Sequence, residues 1–168
     1  MSALMLRSLT LSDEVEFRAA HENMSQTDDW TLGLGLDDGM EWADYVGLLE
    51  KYRLGVDLPA NLVRAAFLVA DVDGVIVGRS SIRFSLNEFL LHEGGHIGYG
   101  VLAAHRNNGY ATEILRQSLT ISRCEGVDPA LLCCDDNNIA SVVVIERCGG
   151  RLENVVEGDG GAVRRYWV

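Results

Sequence analysis

Apolar and polar positions follow two different periods along this chain, and the two periods predict strands and helices. Short runs of β-branched or other apolar residues predict strands at 3–9, 65–86 (a hairpin), 96–102, 130–134, 151–157 and 162–168. Apolar residues at helical spacing predict helices at about 12–22, 40–54, 109–126 and 139–150. The chain is therefore expected to form about seven strands and four helices.

Turn and capping residues decide the segments that periodicity leaves open. Asp73-Gly74 lies between two β-branched runs and accepts the positive φ of a tight hairpin turn. The stretch 27–39 is predicted to be a loop, and 87–95 a connection. In 139–150 the β-branched residues favour a strand. However, an N-cap at Asn137-Asn138 and a stop at Gly149-Gly150 favour a helix, which is our prediction.

The order of these elements predicts the fold class. A hairpin-built antiparallel part runs into a strand–helix–strand crossover, which indicates an α/β protein with a mixed sheet. The chain of 168 residues has the size of one ordinary domain, and it shows no repeat or linker. Residues 1–168 are expected to form one domain.

Composition and charge exclude several classes of partner. The 25 acidic residues outnumber the 14 basic ones, and the net charge is −11, which argues against binding nucleic acid or an anionic membrane. The sequence contains neither an apolar run of about 18 residues nor a secretory signal, so we expect a cytoplasmic protein. The four cysteines lack metal-ligand spacing, so no metal site is expected.

The most informative segment joins the strand at 96–102 to the helix that begins near Gly109. Its loop, RNNGYA, places a glycine where the backbone must come close to a ligand. The free N–H groups of the first helical turn and the helix dipole make this an anion site that suits a pyrophosphate, and Arg106 adds positive charge. A plain structural turn is the alternative interpretation.

Three motifs together resemble the GNAT superfamily of acyl-CoA-dependent N-acetyltransferases. Arg106–Ala111 resembles the family's R/Q-x-x-G-x-G/A loop, and Val101 lies five residues before it, as the family's last apolar strand residue does. Asn138-Ile139-Ala140-Ser141 and Glu146-Arg147-Cys148-Gly149 resemble the helix after the family's fifth strand. More narrowly, the chain is similar to a small subgroup of predicted acetyltransferases.

The resemblance implies a GNAT-like, mostly antiparallel central sheet and a cosubstrate, acetyl-CoA. The cosubstrate would lie between diverging strands 96–102 and 130–135, and a backbone N–H near Val101 or Leu102 would stabilise the oxyanion. The implied contacts with CoA are Arg106, Asn107, Asn108, Gly109, Tyr110, Ala111, Thr112, Asn138 and Ser141. The implied reaction is direct transfer to a primary amine of a small molecule or peptide, without an acyl-enzyme.

The residues that would donate and accept protons are suggested by position rather than by a motif. Many family members carry an acidic tyrosine at the position of Ile145, so Tyr99 and Tyr110 are the candidate acids. Glu93 and His96 are the candidate bases. The alternatives are a solvated Glu93 and a strand histidine bonded to backbone. Cys134 is expected to be a buried apolar cysteine rather than a nucleophile.

Two rival functions stay open. The missing tyrosine would suit a non-catalytic acyl-CoA-binding or sensory protein on the same fold, and the loop would suit an α/β domain that binds no nucleotide. Trp30, Trp42 and Tyr45 either contact the acceptor or pack helices on the sheet. Tyr166 and Trp167 are either core residues or part of a homodimer interface.

The acidic residues between 27 and 50 bear on the acceptor. They are Asp28, Asp29, Asp37, Asp38, Glu41 and Asp44. Clustered carboxylates raise the local concentration of cationic molecules, so a cationic or overall neutral acceptor is expected. A merely solvated acidic loop is the alternative.

Overall fold

The computed structural model describes residues 3–28 and 30–168. Its strands are β1 (Met5–Arg7), β2 (Ala65–Val72), β3 (Val75–Arg83), β4 (Ile97–Val101), β5 (Leu131–Asp135), β6 (Arg151–Gly158) and β7 (Gly161–Trp167). Its α-helices are α1 (Glu14–Thr27), α2 (Trp42–Leu54), α3 (Tyr110–Cys124) and α4 (Ile139–Arg147). The predicted set of strands and helices is confirmed in this order.

The strands form two sheets rather than one continuous sheet. The first sheet has the order β1-β2-β3-β4 and the second β5-β7-β6, and all hydrogen-bonded neighbours are antiparallel. The two sheets meet at β4 and β5, which no strand ladder joins in the described chain. The fold is the expected α/β arrangement, with an interruption in its middle.

Strand β3 separates two hydrophobic layers because side chains alternate between the faces of a strand. On one face Ile82 lies in the core under α3 and α4, and the Ser80 hydroxyl is 2.7 Å from that of Ser118 on α3. On the other face Arg79, Ser81 and Arg83 point toward α2. We call this second side the α2 face of the sheet.

Capping and burial explain the helix that β propensity opposes. The Asn138 side chain accepts a hydrogen bond from the Ser141 N–H at 3.1 Å, which caps α4. Val142 and Ile145, three residues apart, are buried against the sheet. Tertiary packing and the cap therefore outweigh the strand preference of the β-branched run.

The N-terminal helix differs from its predicted bounds. Residues Leu11–Asp13 form a 3₁₀ turn, and α1 continues to Thr27 rather than ending near 22. Met24, seven residues after the buried Phe17, is itself buried, so the second half of the helix is held by the core despite its polar composition. The predicted connection 87–95 contains one turn of π-helix, Leu90–Gly94.

Candidate active site

Among the described residues, β4 and β5 are joined by hydrogen bonds to backbone only where they start. The His96 N–H donates to the Leu131 carbonyl at 2.7 Å, and the Leu131 N–H donates to His96 Nδ1 at 2.8 Å. Gly95 permits this approach because a Cβ there would lie 2.7 Å from the Leu131 oxygen. We call the gap that follows, between β4 and β5, the splay.

The register of β4 determines which backbone groups face the splay. The Arg83 N–H donates to the His96 carbonyl, and the Leu102 N–H donates to the Val77 carbonyl at 2.9 Å. Because an antiparallel ladder alternates, Tyr99 and Val101 direct their N–H and C=O groups away from β3. Of the two oxyanion donors expected from the sequence, Val101 faces the splay, whereas the Leu102 N–H is already used in the ladder.

The loop before α3 forms an open concave backbone surface. Gly109 is the N-cap of α3 with a φ of 79°, Asn107 has a φ of 65°, and a Cβ on Gly109 would meet nothing within 4 Å. The Asn108 amide donates to the carbonyls of His105 and Arg106, which fixes the loop. The N–H groups that begin α3 have no partner within the helix, as an anion site requires.

The other residues implied to contact CoA have partners of their own. Arg106 donates to the Val101 carbonyl at 3.2 Å and pairs with Asp28 at 2.9 Å, so it connects the loop to the edge of the splay. Tyr110 is half-buried and packs against the same core cluster as Val101, and Ala111 and Thr112 are half-buried in the first turn of α3. Asn138 is engaged by Ser141 as the cap of α4.

The Tyr99 hydroxyl is a buried polar group inside the splay. It makes no hydrogen bond to any described residue, although the Ser141 side chain lies close to it. Burial raises the pKa of Tyr99, and Ser141 offsets only part of the rise. Ile145, which stands where many family members carry their acid, is 1% exposed in the core. Tyr99, one of the two candidate acids from the sequence, therefore presents a buried hydroxyl, whereas Ile145 offers no polar group.

His96 connects the two strands through its ring. Since Nδ1 accepts from Leu131, the neutral ring carries its proton on Nε2 and has no free lone pair. Burial and the nearby Arg83 lower the pKa of His96, which keeps the ring neutral. This arrangement is the strand histidine bonded to backbone that the sequence left open.

Glu93 lies in the π-helical turn and reaches the hairpin between β6 and β7. Its Oε2 accepts from the Asp159 N–H at 3.0 Å. Burial raises the pKa of the Cys133 thiol to about 11. The charge of Arg83 lowers this pKa, and the charge of Glu93 raises it. Both charges therefore lie near Cys133 at the start of the splay. Glu93 is half-buried, so it stays a candidate base that would act through water.

The cysteines near the splay are protonated thiols. Burial raises the pKa of Cys134, as of Cys133, to about 11, so little reactive thiolate forms near neutral pH. No group of three or more His, Cys, Asp or Glu side chains in residues 3–28 and 30–168 is arranged to hold a metal. The chemistry of the site rests on backbone, hydroxyl and charged groups.

The aromatic and acidic residues near the acceptor side have distinct placements. Trp42 and Tyr45 are buried core residues, as is Tyr166. Trp30 lies directly on β4, because a Cβ on Gly100 would collide with its ring. Among the acidic residues, Asp29 lies outside the described residues and Asp28 pairs with Arg106. The exposed ones are Asp37, Asp38, Glu41 and Asp44.

Sequence reasoning missed two arginines on β3. Arg79 is 3% exposed, and its guanidinium lies 4.0 Å from the centre of the Trp30 ring. Arg83 lines a pocket of about 570 Å³ on the α2 face, between α2, β2, β3 and the π-helical turn. Two arginines at strand spacing within a buried apolar run are the signal that could have identified them.

Comparison with known proteins places these features in a family. The model of a family described as "Acetyltransferase (GNAT) domain" matches residues 3–151. No curated protein matches the chain in sequence. In the described chain, no helix has the length and apolar character needed to cross a membrane.

Several solved structures share the fold. The Salmonella typhimurium protein yncA, solved with acetyl-CoA, is 16% identical over 99% of this chain and 93% of its own, with a TM-score of 0.65. Mycobacterium smegmatis RimJ, solved with CoA-disulfide, is 18% identical over 99% of this chain and 82% of its own, with a TM-score of 0.71. At these identities the likeness shows the fold alone.

A third structure gives the same result. The ribosomal-protein-alanine N-acetyltransferase from Brucella melitensis is 18% identical over 98% of both chains, with a TM-score of 0.66. The likeness covers nearly the whole length of both proteins and includes the region of the splay.

Replacing His96 tests its role as the connection between the strands. His96→Ala leaves the Leu131 N–H without its partner, and we expect the free energy of unfolding to fall by about 2 kcal/mol at pH 7. Because the folded-state pKa of His96 lies below its ordinary value, this contribution is complete above about pH 6.5 and declines as pH falls. Urea unfolding at pH 7 and pH 5 measures both effects. An equal wild-type-to-variant difference at the two pH values would contradict this role.

Proposed function

Because this chain belongs to the GNAT acetyltransferase family, we propose that it transfers the acetyl group of acetyl-CoA to a primary amine of a small molecule or peptide, and that residues 1–168 act as one such domain. The observation that carries the proposal is the splay. A strand edge without a ladder partner, a glycine-bearing loop at a helix N-terminus and a buried tyrosine hydroxyl lie there.

The residues around the splay fit the chemical parts of CoA. The Tyr99 N–H and C=O offer an edge along which an amide-containing chain such as pantetheine can pair. The amides from Gly109 to Thr112 offer donors and the positive end of a helix dipole to a pyrophosphate. The orphaned Tyr99 hydroxyl gives a sulfur atom in the splay a polar neighbour.

Each proton and bond in the proposed reaction has an assigned place. Bound acetyl-CoA supplies an activated thioester. The nitrogen of the neutral amine bonds to the acetyl carbon as the carbon–sulfur bond breaks, and the Val101 N–H donates to the carbonyl oxygen meanwhile. Tyr99 gives its proton to the departing sulfur, the amine loses a proton to water near Glu93, and a proton from water then restores the Tyr99 hydroxyl. His96 is a positioning residue, since its ring connects β4 to β5.

The structure weakens the case for a non-catalytic acyl-CoA-binding protein. That case rested on the missing tyrosine at position 145, and Tyr99 offers a buried hydroxyl on the other wall of the splay. Covalent transfer through Cys134 is disfavoured by its protonated state. Direct transfer within a complex of both substrates needs neither a tyrosine at position 145 nor a nucleophilic Cys134.

Replacing Gly109 tests the anion site. A Gly109→Val side chain would project into the space before the helix N-terminus, and we expect CoA affinity to fall more than tenfold, or about 1.4 kcal/mol. Gly126→Val is the matched control, because Gly126 follows the same helix with a φ of 85° and equally open surroundings. Titration calorimetry with CoA provides the measurement. Unchanged affinity in a folded Gly109→Val protein would contradict the assignment.

Release of free thiol from acetyl-CoA with a panel of primary amines tests the proposed reaction. We expect Tyr99→Phe to lower kcat by about 10²-fold, the size of a general-acid contribution, with a KM for acetyl-CoA within threefold of wild type. Since burial raises the pKa of Tyr99 above its ordinary value of 10, wild-type kcat should show no alkaline fall below pH 10.

Tyr166→Phe is the control, because it removes another buried tyrosine hydroxyl, one hydrogen-bonded to Glu146 outside the splay. Wild-type kcat in Tyr99→Phe would show that no protein acid acts at this position. CoA binding without thiol release for any amine would favour the non-catalytic alternative.

A further inference from the structure

The pocket on the α2 face has apolar walls and a basic floor. Its volume is about 570 Å³, which is within the range of small-molecule sites. The apolar walls are formed mainly by Leu34, Leu49, Tyr52, Leu62, Phe67 and Leu90. Arg83 is its only charged lining residue in the described chain, although the protein carries a net charge of −11. The pocket is thus a local exception to the charge of the whole molecule.

Arg83 has unused hydrogen-bonding capacity. Its described hydrogen bonds run from Nη1 to the carbonyls of Gly94 and Gly95, at 3.2 and 3.4 Å. Arg83 forms no ion pair within 4.0 Å among residues 3–28 and 30–168. Glu93 lies near the same thiol of Cys133, but its Oε2 is held by Asp159. A guanidinium presents five N–H donors, so several remain available to a ligand.

Arg79 places a second positive charge on the same face. Its Nε is buried without a hydrogen-bond partner in the described structure, and its Nη2 donates to the Thr31 carbonyl. Burial and the neighbouring Arg83 lower the pKa of Arg79 to about 9. Two desolvated cations that repel each other are costly, and a bound anion would offset that cost.

The pocket floor is also close to the splay. Arg83 lies over Gly98 of β4, since a Cβ on Gly98 would be 3.4 Å from Nη1. Gly98 directly precedes Tyr99, whose backbone edge and hydroxyl belong to the proposed reaction site. The guanidinium at the pocket floor therefore lies one residue along β4 from the strand edge that faces the splay.

We propose that the acceptor amine of this enzyme also carries a carboxylate, which Arg83 binds while the apolar part of the acceptor fills the pocket. A carboxylate matches the planar fork of a guanidinium, because its two oxygens can accept two parallel N–H bonds. Such an acceptor is neutral overall, in agreement with the expectation from the acidic sequence. The inference rests on the proposed acetyl transfer and names its substrate class.

The first test compares acceptors that differ only in the carboxylate. The probes are L-leucine against L-leucinamide, and 6-aminohexanoate against 6-aminohexanamide. The second pair separates carboxylate recognition from the basicity of the amine. With wild-type protein and acetyl-CoA, we expect kcat/KM for the acid to exceed that for the amide at least tenfold in one or both pairs. Equal or better use of the amide in both pairs would overturn the inference.

The second test assigns the preference to Arg83. In Arg83→Gln the acid-to-amide ratio should fall at least tenfold toward one, because the glutamine amide keeps a donor for Gly94 but loses the charge. Arg53→Gln is the control. Arg53 is an exposed residue of α2 paired with Glu50, and its loss changes the net charge equally. A ratio that persists in Arg83→Gln would overturn the assignment to Arg83.

Failure of acetyl transfer and failure of the carboxylate preference give different results. If no amine in a broad panel releases thiol from acetyl-CoA, the proposed function fails, and the inference fails with it. If amines without a carboxylate are acetylated as well as those with one, acetyl transfer stands and only the inference fails.

Discussion

The site depends on a pair of hydrogen bonds that connect β4 and β5 at one end only. His96 uses its backbone N–H and its ring to engage both backbone groups of Leu131, and no further backbone bond joins the two strands in the described chain. Antiparallel pairing already holds β4 to β3 and β5 to β7. The outer strands therefore stay fixed while the middle of the molecule opens, and a strand edge becomes available inside a packed domain.

Buried polar groups without partners are concentrated around this opening. An unsatisfied buried group costs about 1–3 kcal/mol, so native proteins contain few of them. Here the Tyr99 hydroxyl lies in the splay, Arg79 Nε lies on the α2 face of β3, and Arg165 Nε lies on β7, the neighbour of β5. Unpartnered groups that gather at one opening are typical of a site where a bound molecule supplies the missing partners.

The sequence predicted the elements well and the contacts less well. The α4 helix was predictable because its cap and stop residues are local, and they outweighed four β-branched residues. The choice between Val101 and Leu102 as the oxyanion donor depends on the β3–β4 register, which no local pattern reveals. The hydrogen bond from the Leu131 N–H to His96 Nδ1 joins residues distant in sequence, and so does the lining of the pocket around Arg83. Only the folded chain brings these residues together.

The β4 edge in the splay is the surface that we propose acetyl-CoA occupies. Native-state amide hydrogen exchange, measured residue by residue with and without saturating acetyl-CoA, tests this placement. We expect slower exchange at Tyr99, Val101 and the amides from Gly109 to Thr112. We expect little change at Gly98, Gly100 and Leu102, whose N–H groups already bond to β3. Unchanged exchange at Tyr99 and Val101 in the presence of bound acetyl-CoA would show that the cosubstrate lies elsewhere.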